Sequence, residues 1–341
     1  MTNDQRPTTT TSLLPTTVTG SYSMPEWLKR AKNDYLQRRV SRHDLDDMHD
    51  AVRKSAIKDQ EVAGVDIISD GEVQRDNMID YFAERLPGVQ VDLGSKRFYY
   101  DYYDSVVRSK LATGSLGLVD DAKFLKRFTD RRPKVTMSGP HTLVKRIQNQ
   151  HYPSEEAFAL DLGRVLNLEL RELARSGVKE LQIDEPYYSG FPEDLPWAIK
   201  AVNAMVDSVD ANVTLHICYG NRYGKPSFEG SYKYLFPAIA EAKVHAISLE
   251  FARRGDEDLQ LFEQFKVPFN LGLGVVDVKS HDIESAGVVA DRIRRALKII
   301  PAERLIINPD CGLVHLPRDV SFAKLCAMVE GTKLVRQEIS A

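Results

Sequence analysis

The sequence predicts an α/β fold, a single (β/α)8 barrel of the TIM type, and three observations support this prediction. The chain has 341 residues, of which 43% are hydrophobic, and this size suits one large barrel or two ordinary domains. Short apolar runs that end in polar or glycine-rich turns occur eight times. Helical patterns separate these runs, and strands that alternate with helices form parallel sheets. Eight such units favour a closed barrel over the alternative, a doubly wound sheet.

The eight predicted strands are short, apolar and bounded by turn-forming residues, as strands usually are. They cover residues 16–22, 65–72, 134–140, 181–186, 213–220, 246–251, 269–276 and 305–312. In a parallel barrel the carboxyl ends of all strands meet at one mouth, where enzymes of this fold carry their active sites. Polar residues at the ends of these segments are therefore the candidates for function.

Helices are predicted between the strands from capping residues and apolar spacing. Ser41 with Asp44 indicates the start of one helix. Ser154 indicates the start of another, and Gly177 marks its end. A third helix is predicted from residue 283 to residue 297, where apolar residues keep a spacing of three or four and basic residues cluster near the C-terminus.

Two parts of the chain depart from the regular alternation. Residues 1–12, "MTNDQRPTTTTS", are predicted as a disordered polar tail, and residues 13–341 as one catalytic barrel domain. The segment after the second strand, at about 73–133, is too long for a simple loop between a strand and a helix. We predict a long insertion that contains a helix and an aromatic hairpin around 97–107 and lies over one barrel mouth. Its tyrosines either shape the site or only pack against the rim.

Composition excludes several classes of protein. The net charge is -3 with acids and bases mixed along the chain, which disfavours nucleic acid as a partner. No apolar run is long enough to span a membrane, and the N-terminus lacks a signal sequence. The expected location is therefore the cytoplasm. The three cysteines, Cys218, Cys311 and Cys326, make a disulfide framework improbable, and Cys326 is predicted to lie in the core on a helical stripe.

Four residues of the types that bind zinc stand at the ends of predicted strands: His216, Cys218, Glu250 and Cys311. His216 and Cys218 are two positions apart in a strand, so their side chains share a face. Each residue alone has a structural explanation, for example Glu250 as a partner of a nearby arginine. Together they offer nitrogen, sulfur and oxygen donors that suit tetrahedral zinc. The set predicts a zinc site at the barrel mouth.

The charge of this ligand set indicates the chemistry. Two thiolates and one carboxylate around Zn²⁺ leave the site anionic, which makes the metal a weak activator of water. A substrate thiol that binds the metal loses its proton and stays nucleophilic. The carboxylate is the ligand that a soft sulfur displaces most easily. The predicted reaction is therefore the activation of a thiol.

Motifs along most of the chain resemble the catalytic C-terminal barrel of cobalamin-independent methionine synthase, from about Leu14 to the C-terminus. In chain order they are "TVTGSY", "SDGEVQRDNMIDYF", "MSGP", "QIDEP", "LHICYGN", "SLEFARR", "GLGVVDVKS" and "INPDCGL". The resemblance implies zinc on the four residues named above. It also implies homocysteine as substrate, with its carboxylate near Ser21 and its ammonium held by Glu72 and Asp184. A zwitterion needs donors at one end and acceptors at the other, as this arrangement provides. The structural alternatives are an ion pair of Glu72 with Arg75 and a helix cap by Asp184.

The chain departs from the family pattern in two respects. It has room for one barrel, so it resembles the short core methionine synthases. The histidine acid of the family aligns with Lys279, a weak acid at neutral pH, although His281 stands nearby. Lys279 and Asp184 are the predicted catalytic residues. Together these departures predict a methyl-corrinoid donor, either methylcobalamin or a corrinoid protein, rather than methyltetrahydrofolate.

Three other functions compete with methyl transfer to homocysteine. A zinc-dependent transferase of methyl or alkyl groups to another thiol, such as coenzyme M, keeps the chemistry, but Glu72 and Asp184 would repel its sulfonate. A decarboxylase of the uroporphyrinogen type shares the fold and leaves the zinc-binding set unexplained. A metal-storing scaffold would need no substrate pocket, and the carboxylates of Glu72 and Asp184 would then lack a role.

Overall fold

The computed structural model describes residues 13–340. The predicted polar tail, residues 1–12, lies outside the described residues. Within them, no helix is long and apolar enough to cross a membrane.

Ten strands are present among residues 13–340. They are β1 Ile67–Ile68, β2 Val89–Asp92, β3 Asp104–Val107, β4 Arg132–Ser138, β5 Gln148–Asn149, β6 Glu180–Asp184, β7 Asn212–His216, β8 Ala246–Leu249, β9 Asn270–Gly274 and β10 Leu305–Asn308. Seven of them form a curled parallel sheet in the order β1-β4-β6-β7-β8-β9-β10, and β2, β3 and β5 form a small second sheet. The predicted α/β class with a parallel sheet is confirmed.

Helices pack outside the parallel sheet and cover its apolar face. They are α1 Glu26–Leu36, α2 Arg42–Ala63, α3 Asp80–Ala83, α4 Leu118–Phe128, α5 Pro140–Val144, α6 Glu155–Arg175, α7 Leu195–Val206, α8 Gln260–Phe265, α9 Ala286–Leu297 and α10 Arg318–Ser340. Ser41 and Ser154 cap α2 and α6 as predicted, since each side chain accepts a backbone N–H three residues on. The third predicted helix begins later than expected, at Ala286 rather than 283, because Ser285 caps it by accepting the Val288 N–H.

The first predicted strand, residues 16–22, is not a regular strand. Thr16 bridges Ile307 of β10 and Thr17 bridges Ile67 of β1, both in parallel. The Thr16 N–H, on the side of β1, donates to the side chain of Asp66 at 2.8 Å instead of to a strand backbone. The sheet therefore has seven strands where eight were predicted, and this segment lies between its two edge strands.

The region between β1 and β4 holds α3, α4 and two strands of the small sheet. The aromatic hairpin predicted around 97–107 is only partly present. β3 pairs with β2, and the residues between these two strands form no strand of their own. The connection between β2 and β3 is held in place by the buried ammonium group of Lys96. Lys96 Nζ lies 2.8 Å from Asp76 and 2.9 Å from Asp80. This anchoring brings Tyr100 and Tyr102 to the cavity described below.

Sheet register places the functional residues side by side. Asp184, the last residue of β6, is paired in register with His216, the last residue of β7, and His216 with Ser248 of β8. Apolar residues such as Ile183 and Leu215 precede these ends and are fully buried. The sheet is thus a rigid apolar support with polar side chains at its carboxyl edge.

Candidate metal and substrate site

Three side chains that can bind a metal converge at the carboxyl edge of the sheet. The ligand atoms of His216, Cys218 and Cys311 all lie within 4.8 Å of one another. The two sulfur atoms are 3.6 Å apart. His216 ends β7, Cys218 follows two residues later, and Cys311 lies in the loop after β10. The structure therefore brings together three of the four predicted ligands.

The His216 ring is oriented by Asp184. Its Nδ1 lies 2.9 Å from Asp184 Oδ1, and the Gln182 amide donates to the same oxygen at 2.6 Å. Its Nε2 is buried, and no partner for it exists in the described part of the chain. Metal-bound histidines usually bond a carboxylate through the second ring nitrogen in this way. Asp184, predicted to contact substrate, thus also positions His216.

Glu250 lies at the edge of this group. Its Oε1 accepts a hydrogen bond from Lys279 Nζ at 2.8 Å and one from the Tyr219 N–H at 3.1 Å. Its Oε2 is buried and finds no hydrogen-bond partner among residues 13–340. Glu250 falls outside the group whose ligand atoms lie within 4.8 Å of one another. As the fourth ligand it stays a prediction, with Oε2 as the available atom.

The donor set fits a zinc ion. Two sulfur atoms, one imidazole nitrogen and one carboxylate oxygen make a tetrahedral shell of the kind zinc prefers. Buried polar atoms without partners are costly, and both His216 Nε2 and Glu250 Oε2 are such atoms. A cation bound by the group of His216, Cys218 and Cys311 would give His216 Nε2 a partner.

Charges within the protein chain alone favour one thiolate. Burial lowers the pKa of His216, but the hydrogen bond to Asp184 and the nearby Cys311 sulfur outweigh it and raise the pKa to about 10. The contact between the two sulfur atoms, together with the His216 charge, holds the pKa of Cys311 well below its ordinary range despite burial. The same contact, with burial, raises the pKa of Cys218. The loop thus presents a sulfur that is ready to bind a cation.

A cavity of about 200 Å³ adjoins this group. Ser21, Glu72, Asp184, His216 and Cys311 all line it. The predicted substrate residues and two of the predicted ligands therefore share one space. The predicted catalytic residue Lys279 is absent from its walls, and His281 lies exposed at the protein surface.

Glu72 is held at the cavity wall by its neighbours. Its Oε1 accepts a hydrogen bond from the Thr136 hydroxyl, and Arg75 NH1 lies 3.6 Å away. Burial raises the pKa of Glu72 to about 6, with Arg75 opposing and Asp184 adding to the rise. A Cβ at Gly20 would lie 2.1 Å from Glu72 Oε1, so only glycine leaves room for this carboxylate. Glu72 thus lies close to Arg75 and also lines the cavity, and its contact with the substrate ammonium stays a prediction.

Ser21 also lines the cavity and lies against the loop that carries Cys311. A Cβ at Gly312 would lie 2.0 Å from Ser21 Oγ. The glycine therefore allows the hydroxyl and the Cys311 sulfur to line the same cavity.

An aromatic wall completes the cavity, and the sequence did not reveal most of it. It consists of Tyr100, Tyr102, Tyr187 and Phe228. The Arg222 guanidinium, also at the cavity, lies 5.2 Å from the Tyr102 ring centre. The aromatic segment around 97–107 was the only signal for this wall. Tyr187 and Phe228 come from the loops after β6 and β7. Loop residues show no regular hydrophobic spacing, so the sequence could not predict that these two side chains face the cavity.

Asp310 has a structural role that the sequence analysis did not predict. Its carboxylate accepts the backbone N–H groups of Phe251, Ala252 and Arg253 at 2.9 to 3.0 Å. These residues directly follow Glu250. Asp310 therefore fixes the loop that presents Glu250, and joins it to the loop of Cys311.

Fold and site together define a class of protein. A curled parallel sheet carries clustered thiol and imidazole donors at its carboxyl edge, beside a cavity with carboxylates for a cationic group. These are the features of an α/β enzyme that acts on a small substrate.

Comparisons with known proteins identify the family. Residues 14–334 match the family model described as "Cobalamin-independent synthase, Catalytic domain". The chain is 37% identical over 331 residues to methionine synthase of Saccharolobus solfataricus, which covers 96% of each chain. It is 35% identical to methionine synthase of Sulfolobus acidocaldarius, covering 96% of this chain and 94% of that protein. The chain belongs to the cobalamin-independent methionine synthase family, and it is a methyltransferase enzyme.

Solved structures agree with this assignment. A B12-independent methionine synthase from Shewanella sp. W3-18-1, in complex with selenomethionine, has a TM-score of 0.84 and 30% identity. The match covers 96% of this chain and 99% of that one. A protein described as a putative vitamin-B12 independent methionine synthase from Listeria monocytogenes has a TM-score of 0.75 at 20% identity, over 93% of this chain and 96% of that one, and shows the shared fold.

The predicted cobalamin donor is wrong. The family model describes a cobalamin-independent synthase, and the Shewanella structure is a B12-independent enzyme. Neither methylcobalamin nor a corrinoid protein partner agrees with these findings. The prediction depended on Lys279 as a weak acid that faces the donor. In the structure Lys279 bonds Glu250 and is absent from the cavity wall, so its residue type carries no information about the donor.

Proposed function

We propose that the protein is a zinc-dependent enzyme that transfers a methyl group to the thiol of homocysteine and forms methionine. The observation that carries the proposal is the cluster of His216, Cys218 and Cys311, with the unpartnered Oε2 of Glu250 beside it. A zinc ion held there would keep a substrate thiol as a reactive thiolate.

The amino-acid head of the substrate is assigned to the carboxylates of the cavity. Glu72 and Asp184 accept from its ammonium group, while Ser21 donates to its carboxylate. Asp184 Oδ1 is already bonded to His216 and Gln182, so Glu72 is the main acceptor. The Shewanella relative is described in complex with selenomethionine, which has the shape of the product proposed here. Its similarity supports an amino-acid thiol rather than coenzyme M.

The methyl donor is assigned to the aromatic wall. Tyr100, Tyr102, Tyr187 and Phe228 offer flat apolar surfaces at the cavity, and aromatic rings favour stacking with flat conjugated rings. Arg222 adds a cation for an acidic group of the donor. We infer a donor with a flat ring system and acidic substituents, for which methyltetrahydrofolate is the probe.

We also infer the finer features of the fold. The bridges of Thr16 and Thr17 to the two edge strands support an eight-membered closed barrel. Residues 73–133 would then be an insertion between its second and third members. The contacts of α10 with both α2 and α9 support one domain over the described residues 13–340, as predicted for 13–341. A single cooperative unfolding transition by two probes would agree with this.

Metal analysis tests the zinc proposal. The purified protein should carry about one zinc per chain. Cys218→Ala and Cys311→Ala should each lose most of the zinc and stay folded, because the ligands lie beyond the strand ends. Cys326→Ala is the matched control, since Cys326 lies on α10 away from the site. Full zinc content in the double Cys218→Ala/Cys311→Ala variant would refute the zinc site.

Product formation tests the reaction. Homocysteine with methyltetrahydrofolate should yield methionine, whereas coenzyme M should not be methylated. Equal methylation of both thiols would refute the assignment of Glu72 and Asp184 to the ammonium. Absence of methionine with methyltetrahydrofolate, at full zinc content and with measurable homocysteine binding, would refute the inferred donor alone.

A further inference from the structure

Lys279 makes a buried ion pair with the one proposed zinc ligand that is a carboxylate. Its Nζ lies 2.8 Å from Glu250 Oε1, and the side chains of Lys279 and Glu250 are 4% and 0% exposed. The Lys279 backbone N–H donates to Asp277 Oδ1 at 2.8 Å. This bond holds the backbone from which the lysine side chain extends. Lys279 does not line the substrate cavity. The ammonium group therefore faces Glu250 rather than the space where substrates bind.

We propose that Lys279 is a positioning residue that controls Glu250 as a replaceable metal ligand. It holds Oε1 and leaves Oε2 available for a metal, and it would remain the partner of the carboxylate if a substrate thiol replaced Oε2 at that metal. The inference rests on the proposed zinc-dependent function and adds a role for Lys279 within it.

The charge balance of the site explains why such a partner is needed. Two thiolates and one carboxylate exceed the charge of Zn²⁺ by one, and a substrate thiolate would add another negative charge. If Glu250 gave up its place to that thiolate, the charge of the ligand set would stay unchanged. A released carboxylate that is fully buried needs a cation nearby. Lys279 is that cation and requires no movement to reach it.

The hydrogen bonds of Glu250 separate its two oxygens by function. Oε1 accepts hydrogen bonds from both Lys279 Nζ and the Tyr219 N–H. Oε2 is buried and has no hydrogen-bond partner in the described structure. A carboxylate fixed by one oxygen can turn its other oxygen toward or away from a metal. The ion pair with Lys279 would then persist whether or not Oε2 binds the metal.

Measurements of zinc affinity and thiol binding in Lys279→Met test this role. Zinc affinity, from competition with a chelator, should be retained or higher, because Glu250 then has the metal as its only cation. Homocysteine binding to the zinc enzyme, measured by calorimetry without a methyl donor, should be about tenfold or more weaker, the scale of effects from outer-shell partners. Lys279→Arg keeps the cation and should restore binding to within about threefold.

A double variant tests whether Lys279 affects homocysteine binding through Glu250. Glu250→Gln removes the charge that Lys279 balances, so homocysteine should bind the double variant Lys279→Met/Glu250→Gln as it binds Glu250→Gln alone. In the cobalt-substituted enzyme, addition of homocysteine should change the visible spectrum of wild type and need higher concentrations in Lys279→Met. Thermal unfolding of each variant confirms that it is folded.

Three outcomes would overturn the inference. Unchanged homocysteine binding with a lower kcat would make Lys279 an acid for the donor. Weaker zinc binding that accounts for the whole defect would make it a structural support of the metal site. Additive effects of the two substitutions on thiol binding would separate Lys279 from Glu250. Failure of the proposed function is distinguishable, because wild type itself would then lack zinc or fail to bind homocysteine.

Discussion

Substitution of Glu72 by Gln should change the recognition of the substrate ammonium while leaving the metal group intact. Gln keeps the size of the side chain and its contact with Thr136, and it loses the negative charge. Only 17% of the Glu72 side chain is exposed, so water replaces the lost interaction poorly. A hydrogen bond between charged groups contributes about 1.5 to 3 kcal/mol. The expected loss in kcat/KM for homocysteine is therefore about 10- to 150-fold.

The matched comparison is the same thiol without the amino group, 4-mercaptobutanoate. Steady-state kinetics with both thiols should show the loss for homocysteine and less than about a threefold change for the analogue. Zinc content should equal that of wild type. Equal losses for the two thiols would show that Glu72 does not bind the ammonium.

The pH dependence of this selectivity gives an independent check. Because burial raises the pKa of Glu72 to about 6, the carboxyl group is largely protonated below that pH and cannot pair with an ammonium. The ratio of kcat/KM for homocysteine to that for the analogue should rise as pH increases through about 6, since kcat/KM reports the free enzyme. In Glu72→Gln the ratio should be flat over the same range.

Three further predictions follow from buried contacts. Gly312→Ala places a Cβ 2.0 Å from Ser21 Oγ, so the hydroxyl must turn away and kcat/KM for homocysteine should fall about tenfold with little change in melting temperature. Lys96→Met leaves the buried Asp80 without its ammonium, whereas the half-buried Asp76 keeps Lys32, and it should lower the free energy of unfolding by about 3 kcal/mol, measured by urea denaturation. Burial raises the pKa of Glu185 to about 8 from an ordinary 4.5, so the folded state binds the proton more tightly. Stability should then fall as pH rises from 4.5 to 8, by up to about 1.4 kcal/mol per pH unit, and Glu185→Gln should reduce that fall.

The sequence predicted the features that depend on periodicity and on the direction of strands. His216 and Cys218 share a face because they stand two positions apart near the end of β7. Cys311 joins them because parallel strands end at one edge of the sheet. Glu72 and Ser21 reach the cavity for the same reason, from the ends of other predicted strands.

Features that depend on side-chain pairing or loop course could not be predicted. The bond from Asp184 to His216 requires the register of β6 against β7, which no local pattern encodes. The position of Lys279 behind Glu250 depends on the loop after β9, and there the aligned residue type led to a wrong prediction of the donor. The segment at Thr16 has the composition of a strand, yet its N–H bonds the side chain of Asp66.

X-ray absorption at the zinc edge, before and after addition of homocysteine, tests the proposed function most directly. We predict two sulfur neighbours and two nitrogen or oxygen neighbours in the free enzyme, from Cys218, Cys311, His216 and Glu250. With homocysteine the sulfur count should rise to three and the light-atom count should fall to one. Cys218→Ala should start with one sulfur fewer. An unchanged sulfur count in an enzyme saturated with homocysteine would contradict thiol activation by the metal at this site.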